Sequence, residues 1–253
     1  MTVPEPMADE FDTMPLWTAD AVAEVGPDAA VPAACRGSGT PAALRWLAGG
    51  MGLGEGIRLL DSGAGVGGPS ELVARELGVS PVLVDPMVGA CRAAGRLFGR
   101  PVAAAAGERL PFGADCFDAA WSLGVLCTVP DKPPVLAELR RVVRRDSPVG
   151  FLVFVRARRT LPQRPEGNHF PDLEELTVLL DGAGLPIVDR APLADFPEPP
   201  GPWQHLVDRV EAVVERDHGR DERFRSAQQQ QESIGRLLAD GLVTGHLVVC
   251  RAD

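Results

Sequence analysis

The sequence predicts an α/β protein: a mostly parallel sheet with helices on both faces. Three observations carry that expectation. Between residues 57 and 155, short apolar runs of strand length alternate with stretches of helical spacing. Those runs are nearly continuous in Val, Leu, Ala and Phe, the pattern of strands buried on both faces. The first of them also runs into a glycine-crowded turn, LLDSGAGVGGP over residues 59–69, as strand-to-helix connections in such sheets do.

Residues 1–39 hold few regular signals: prolines, acids and the stretch PAACRGSGT. A helix is expected from Thr40 as N-cap and Pro41 at its first position, with Leu44, Leu47, Ala48 and Met51 on one face and Gly49-Gly50 at its end. IRLLD (57–61) reads as the first strand, followed by a helix from Pro69 to Leu77 stopped by Gly78. PVLVD (81–85), VAAAA (102–106) and DAAWS (118–122) read as strands two to four, with a helix over 87–98 between the first two. Val135, Leu136, Leu139, Val142 and Val143 mark an amphipathic helix, and VGFLVFV (149–155) a central fifth strand. Asp172 with Glu175 three residues on forms a capping-box start to a helix closed by Gly182. PIVDR (186–190) is the sixth strand, a Pro-rich stretch (195–202) leads to paired helices around 203–238, and HLVVCR (246–251) is the last strand. The organisation expected is one domain over 1–253: an N-terminal helical cap (1–50), a ligand-binding core (57–190), a helical lid (195–240) and the last strand.

Composition narrows the chemistry. Net charge is −10, with 25 basic against 35 acidic side chains, so a phosphate backbone would be repelled and nucleic acid is not an expected partner. The chain has no tyrosine, and its only lysine, Lys132, follows no glycine loop, which excludes Tyr/Lys chemistry and Walker-type phosphate binding. Cys35, Cys91, Cys116, Cys127 and Cys250 are dispersed, without a CxxC or a histidine cluster, so neither a metal site nor a disulfide framework is expected. The acidic N-terminus resembles no signal peptide, and no run is long enough to cross a bilayer, so a cytoplasmic protein without a membrane partner is expected. The pattern specifies no oligomeric state.

The glycine loop is the strongest chemical signal. Gly63, Gly65, Gly67 and Gly68 follow Asp61 at the carboxyl end of a buried strand, where open α/β sheets bind ligands. Gly63, Gly65 and Gly68 satisfy the dinucleotide spacing GxGxxG, but Asp61 would repel a pyrophosphate and not a cationic ligand bearing an amino acid. Asp85, ending the second strand, suits a ribose diol under either reading.

LLDSGAGVGGP, VLVDP and GERLPFGADCFDAAWSLGVLCTVPD, in this order and spacing, resemble the motifs of the class I S-adenosylmethionine-dependent methyltransferases, in the ubiquinone/menaquinone-type branch that includes many small-molecule enzymes. The resemblance runs from about residue 36 to the last strand. It implies a Rossmann-like sheet of seven strands in the order 3-2-1-4-5-7-6, the seventh antiparallel, and S-adenosylmethionine as cofactor. It also implies that Asp61, Gly63, Ala64, Gly65 and Gly67 lie against the cofactor, with Asp85 and Pro86 at the ribose. Gly107 and Glu108 would lie at the adenine, Ser122 and Leu123 under the methionine part, and Arg36 at its carboxylate. Ala106 stands where the family usually carries an Asp for the adenine amino group, and Cys127 where relatives often carry histidine.

The function expected is methyl transfer to a small, largely apolar acceptor at O, N or C. His169, in GNHFP, and His205, in PGPWQHL, are the candidates for a catalytic base, each weighed against a surface role. Trp17, Phe170 and Trp203 either line an apolar acceptor pocket or anchor the added helices. His218 and the Gln228–Gln231 run read as solvated. Two other readings compete: a methyltransferase-fold catalyst or binding protein that transfers no methyl group, and a nicotinamide oxidoreductase, which the absence of tyrosine opposes.

Overall fold

The computed structural model describes residues 9–159, 161 and 165–253. The first eight residues of the expected N-terminal cap lie outside them.

A π turn over Asp9–Thr13 leads into helix α1 (Met14–Val25), then α2 (Ala30–Ala34) and α3 (Pro41–Gly50). Thr40 caps α3 by accepting the Ala43 N–H at 3.2 Å. The core then alternates β1 (Arg58–Ser62), α4 (Gly68–Leu77), β2 (Ser80–Asp85), α5 (Val88–Phe98), β3 (Val102–Ala104) and β4 (Ala119–Leu123). It continues with α6 (Pro133–Val142), β5 (Pro148–Arg156), α7 (Leu173–Gly182) and β6 (Ile187–Pro192). Two long helices, α8 (Gly201–His218) and α9 (Glu222–Ala239), precede β7 (Val243–Arg251). The Asp172/Glu175 capping box opens α7 with both hydrogen bonds at 2.9 Å.

The strands form one sheet in the order β3-β2-β1-β4-β5-β7-β6, parallel except for β7, which runs antiparallel to β5 and β6. The expected third strand is shorter than VAAAA, and the last begins three residues earlier than HLVVCR. Side-chain alternation along the strands feeds two cores. Leu60, Ala120, Phe151 and Val153 pack with Val135, Leu136 and Leu139 of α6 and Leu176 and Leu180 of α7. On the opposite face Leu59, Trp121, Leu152 and Leu247 pack with Leu44 and Leu47 of α3 and Leu72 of α4.

A third cluster stands apart from the sheet. Met14, Trp17, Ala21 and Val22 of α1 and Ala30 and Ala33 of α2 meet Val210 and Val214 of α8 and Ala227 of α9. Trp17 stacks flat on His218, with ring centroids 4.0 Å apart, and Arg216 pairs with Glu24 at 2.7 Å. His218 is thus half-buried, not solvated as expected: the α8–α9 pair is fastened to α1, and its final turn comes with it. The α1 helix carried a readable signal, because Pro15 starts it and positions 14, 17, 21, 22 and 25 share a face. Its alanine content flattens that contrast.

Candidate active site

The order in which the chain adds parallel strands reverses between β1 and β4, and the carboxyl ends of β1, β2 and β4 meet at that switch point. The glycine loop leaves β1 there. The Gly63 and Ala64 N–H groups both donate to Val84 O, at 2.8 and 3.0 Å, which pins the loop to the end of β2. Gly63 has φ +77°, and a Cβ there would collide with Val125. Gly65 differs: at φ +53°, a Cβ would meet no atom within 4 Å, so the space beside it is open. At Gly68, a Cβ would collide with the Ala34–Cys35 peptide, so glycine there lets α2 lie directly on the start of α4.

Asp85 organises the loop from β2. Its Oδ2 accepts the Gly65 N–H and its Oδ1 the Met87 N–H, both at 2.8 Å. Asp61 is only 2% exposed and accepts the Ser70 hydroxyl at 2.7 Å. Burial pushes both acids up to about 6. An acid whose pKa is raised by folding stabilises the fold fully below its unfolded value, and that stability is lost as pH rises through the folded value. Wild-type protein is therefore expected to lose stability relative to Asp61→Asn as pH rises from about 4 to about 6, by on the order of 2 kcal/mol. Urea unfolding across that window measures it, and parallel curves for the two proteins would refute it.

From β4, Ser122 donates its hydroxyl to Ser62 O at 2.9 Å, and Leu123 is buried beside it. A Cβ on Gly107 would lie 3.6 Å from Ser62 Oγ, so the segment carrying Gly107 and the exposed Glu108 passes the same edge. Asp61, Gly63, Ala64, Gly65, Gly67, Asp85, Pro86, Gly107, Ser122 and Leu123 thus lie at the carboxyl ends of β1, β2 and β4 or in the segments that follow β1, β2 and β3. Arg36, one residue beyond the peptide at Gly68, is turned away from them. Its Nε lies 3.1 Å from Glu211 of α8, and its guanidinium donates to Gln231 of α9.

Arg36 belongs instead to a second feature, a cavity of about 140 Å³ between α1, α2, α8 and α9. Met14, Ala33, Val207, Val210, Val214 and Phe224 give it an apolar lining; Arg36, Glu211, Gln228 and Gln231 give it a polar side. Of the run expected to be solvated, Gln228 and Gln229 are exposed, Gln231 is half-buried at the cavity wall, and Gln230 is buried, donating to Glu166 O at 2.8 Å. Packing of α9 along the π turn takes Gln230 inward and leaves Gln228 and Gln229 exposed.

His169 and His205 are not brought together, and neither lines the cavity. His169 lines an open groove of about 490 Å³ with Lys132 and Phe170, where the Lys132 ammonium donates to the carbonyls of Val129 and His169, both at 2.8 Å. His205 is exposed on α8, away from the face that carries Val207, Val210 and Val214. The three candidate aromatics are separate anchors: Trp17 against His218, Phe170 against Cys127, Leu237 and Val243, and Trp203 against the core over α3. Sequence reasoning missed Glu10, which lies in the π turn beside Gln231 and Arg36. Burial raises its acid to about 7, against the lowering effect of both neighbours. No spacing rule marks a single acid in an irregular N-terminal turn.

An open parallel sheet with a glycine loop and a terminal acid at its switch point, under a helical cap, is the architecture of a nucleoside-binding α/β protein. Residues 60–153 match a family model described as a methyltransferase domain. The strand order with an antiparallel seventh strand is the fold of the class I S-adenosylmethionine-dependent methyltransferases, and residues 60–153 are the part that matches the domain model. Among solved structures, the [4+2]-cyclase SpnF aligns at 19% identity and TM-score 0.69, over 92% of this chain and 93% of that one. Cyclopropane synthase MmaA2 from Mycobacterium tuberculosis aligns at 15% identity and TM-score 0.64, over 82% of each chain. Geranyl diphosphate C-methyltransferase from Streptomyces coelicolor A3(2), in complex with Mg2+, geranyl diphosphate and S-adenosyl-L-homocysteine, aligns at 13% identity and TM-score 0.59, over 83% of this chain and 78% of that one. No protein of curated function matches.

The residues present fit such a nucleoside. The space beside Gly65 is free of protein atoms, and the Asp85 carboxylate borders it with lone pairs left after two N–H bonds. Among the described residues no helix is long and apolar enough to cross a membrane, and no cluster of His, Cys, Asp and Glu could hold a metal ion.

Proposed function

We propose that the protein transfers a methyl group from S-adenosylmethionine to a small, largely apolar metabolite at oxygen, nitrogen or carbon. One observation carries this reading. The segment Ala33–Arg36 supplies Ala33 and Arg36 to the wall of the cap cavity, and its Ala34–Cys35 peptide rests on Gly68 of the cofactor loop. An acceptor in that cavity is one turn of chain away from the loop.

The cofactor, when bound, supplies a methyl group made electrophilic by its sulfonium, so the protein has mainly to orient and enclose. Gly65 gives room for the ligand, Asp85 accepts its ribose hydroxyls, and the backbone at Gly107–Glu108 meets the adenine. Residues 195–240, with the N-terminal helices, cover the acceptor and exclude water. The histidines at 169 and 205 stand outside this cavity, so the reading assigns neither a proton transfer there.

A second reading is favoured by the likeness to SpnF, a [4+2]-cyclase that aligns over nine-tenths of the chain: the same cavity could fold a substrate for ring closure without methyl transfer. Calorimetry with S-adenosylmethionine, S-adenosylhomocysteine and NAD, followed by an acceptor screen with methyl-labelled cofactor, separates the two and tests for a nicotinamide enzyme. Val210, 2% exposed and lining the cavity, provides the structural control. Val210→Trp is expected to fill the cavity and abolish acceptor turnover, while S-adenosylhomocysteine affinity changes by less than about twofold. Normal turnover in that variant would move the acceptor elsewhere.

A further inference from the structure

The N-terminal turn Asp9–Thr13 reaches the cofactor site from outside the sheet. It packs along α1 and α9 of the cap and along α5, the helix that follows Asp85. There the Asp12 carboxylate accepts the Gly89 N–H, while Asp85 accepts the Met87 N–H at 2.8 Å. The first N–H groups of a helix have no partner within it and form its positive end, which suits a carboxylate. Here two carboxylates, from separate segments of the chain, share that end on N–H groups of one helical turn. The fit needs glycine: a Cβ at Gly89 would collide with the Asp12 backbone, so α5 gives up a side chain to let the turn lie on it. Like charges held close oppose each other's ionisation. Burial is the main cause that raises the Asp85 acid, and the Asp12 charge adds to it. The other ionisable neighbours are Asp61 from β1, itself raised by burial, and the Cys91 thiol from α5, which burial keeps protonated.

We propose that Asp12 is a positioning residue of the cofactor site: it seats the N-terminal turn on α5 beside Asp85, and its charge sets the pH range in which that carboxylate receives the ribose hydroxyls. Asp12 touches no ligand in this role and acts through Asp85. The cap is thereby linked to the cofactor site, because the turn that carries Asp12 also packs on α9. Displacing the turn takes a negative charge away from Asp85. The inference rests on the proposed function only for naming the cofactor as what Asp85 receives; the coupling between the two acids stands without it.

Two readouts on the full chain test it. The first is ligand-free: NMR of aspartate labelled at the carboxyl carbon, with the Asp85 signal assigned by its loss in Asp85→Asn. Asp12→Asn keeps an oxygen to accept the Gly89 N–H and removes only the charge, so Asp85 should titrate at lower pH than in wild type. Gly89→Ala unseats the turn without altering either acid, and should move the titration the same way. The second readout is calorimetry with S-adenosylhomocysteine. The ratio of affinity at pH 8 to affinity at pH 5 should fall at least roughly twofold in both variants, because a like charge no longer opposes ionisation of Asp85. A residue that only braced the fold would leave both readouts of Asp12→Asn at their wild-type values, and that result would overturn the proposal. So would an unchanged Asp85 titration in Gly89→Ala. Failure of S-adenosylhomocysteine to bind while the Asp85 titration moves would remove the methyl-transfer reading and leave the coupling of Asp12 to Asp85 standing.

Discussion

Gly65→Leu is expected to abolish measurable binding of S-adenosylmethionine and S-adenosylhomocysteine while leaving the protein folded. The two effects part because of what surrounds this glycine. A Cβ at Gly65 meets no protein atom within 4 Å, so the added side chain enters the space reserved for the ligand and not the core. The cost to the fold is the left-handed backbone at φ +53°, about 1–2 kcal/mol for a residue with a side chain. Gly63→Leu provides the contrast. Its Cβ would strike Val125 with φ at +77°, so that variant should unfold at lower temperature and lose the ligand only as a consequence. Calorimetric titration paired with thermal unfolding separates them. Retained affinity in Gly65→Leu would place the ligand away from the loop.

That contrast also marks how far the sequence could be read. The glycine spacing and Asp61 announced a ligand loop, and the strand-to-helix alternation gave the sheet, because parallel strands buried on both faces leave long apolar runs. The resemblance supplied the strand order that periodicity alone does not contain. The sequence could not say which glycine serves the backbone and which the ligand, since that depends on Val125 and Ala34, distant in the chain. The cap was harder. Its helices are rich in alanine and glutamine, so the inward faces of α1 and α9 look polar or neutral until they are folded together. Gln231 looks solvated in the sequence and lines a cavity in the fold. Histidine invites a catalytic reading wherever it occurs, yet His205 faces solvent and His169 a different groove, because helix phase decides direction and the identity of the residue does not.

Asp85→Ala should weaken cofactor binding by roughly 1.5–3 kcal/mol, the worth of hydrogen bonds to a charged group. The carboxylate already takes one N–H on each oxygen, from Gly65 and Met87, and each oxygen has a lone pair left for a ribose hydroxyl. Alanine removes both roles, so the loop N–H at Gly65 loses its partner as the ligand loses its acceptor. The pH dependence gives a sharper test. Burial holds the Asp85 acid at about 6, and only its ionised form offers a charged acceptor oxygen to each ribose hydroxyl. Affinity in the wild type should therefore be full above about 7 and fall as pH drops through about 6, with the bound ligand drawing that pKa down. Asp85→Asn should bind weakly at every pH, with a flat profile. Asp61 titrates in the same range, but its carboxylate is sealed against Ser70, so Asp61→Asn should keep the wild-type fall. Calorimetry with S-adenosylhomocysteine from pH 5 to 8, on the wild type and these two variants, assigns the titration. A fall that persists in Asp85→Asn and vanishes in Asp61→Asn would move the ribose partner from the end of β2 to the end of β1.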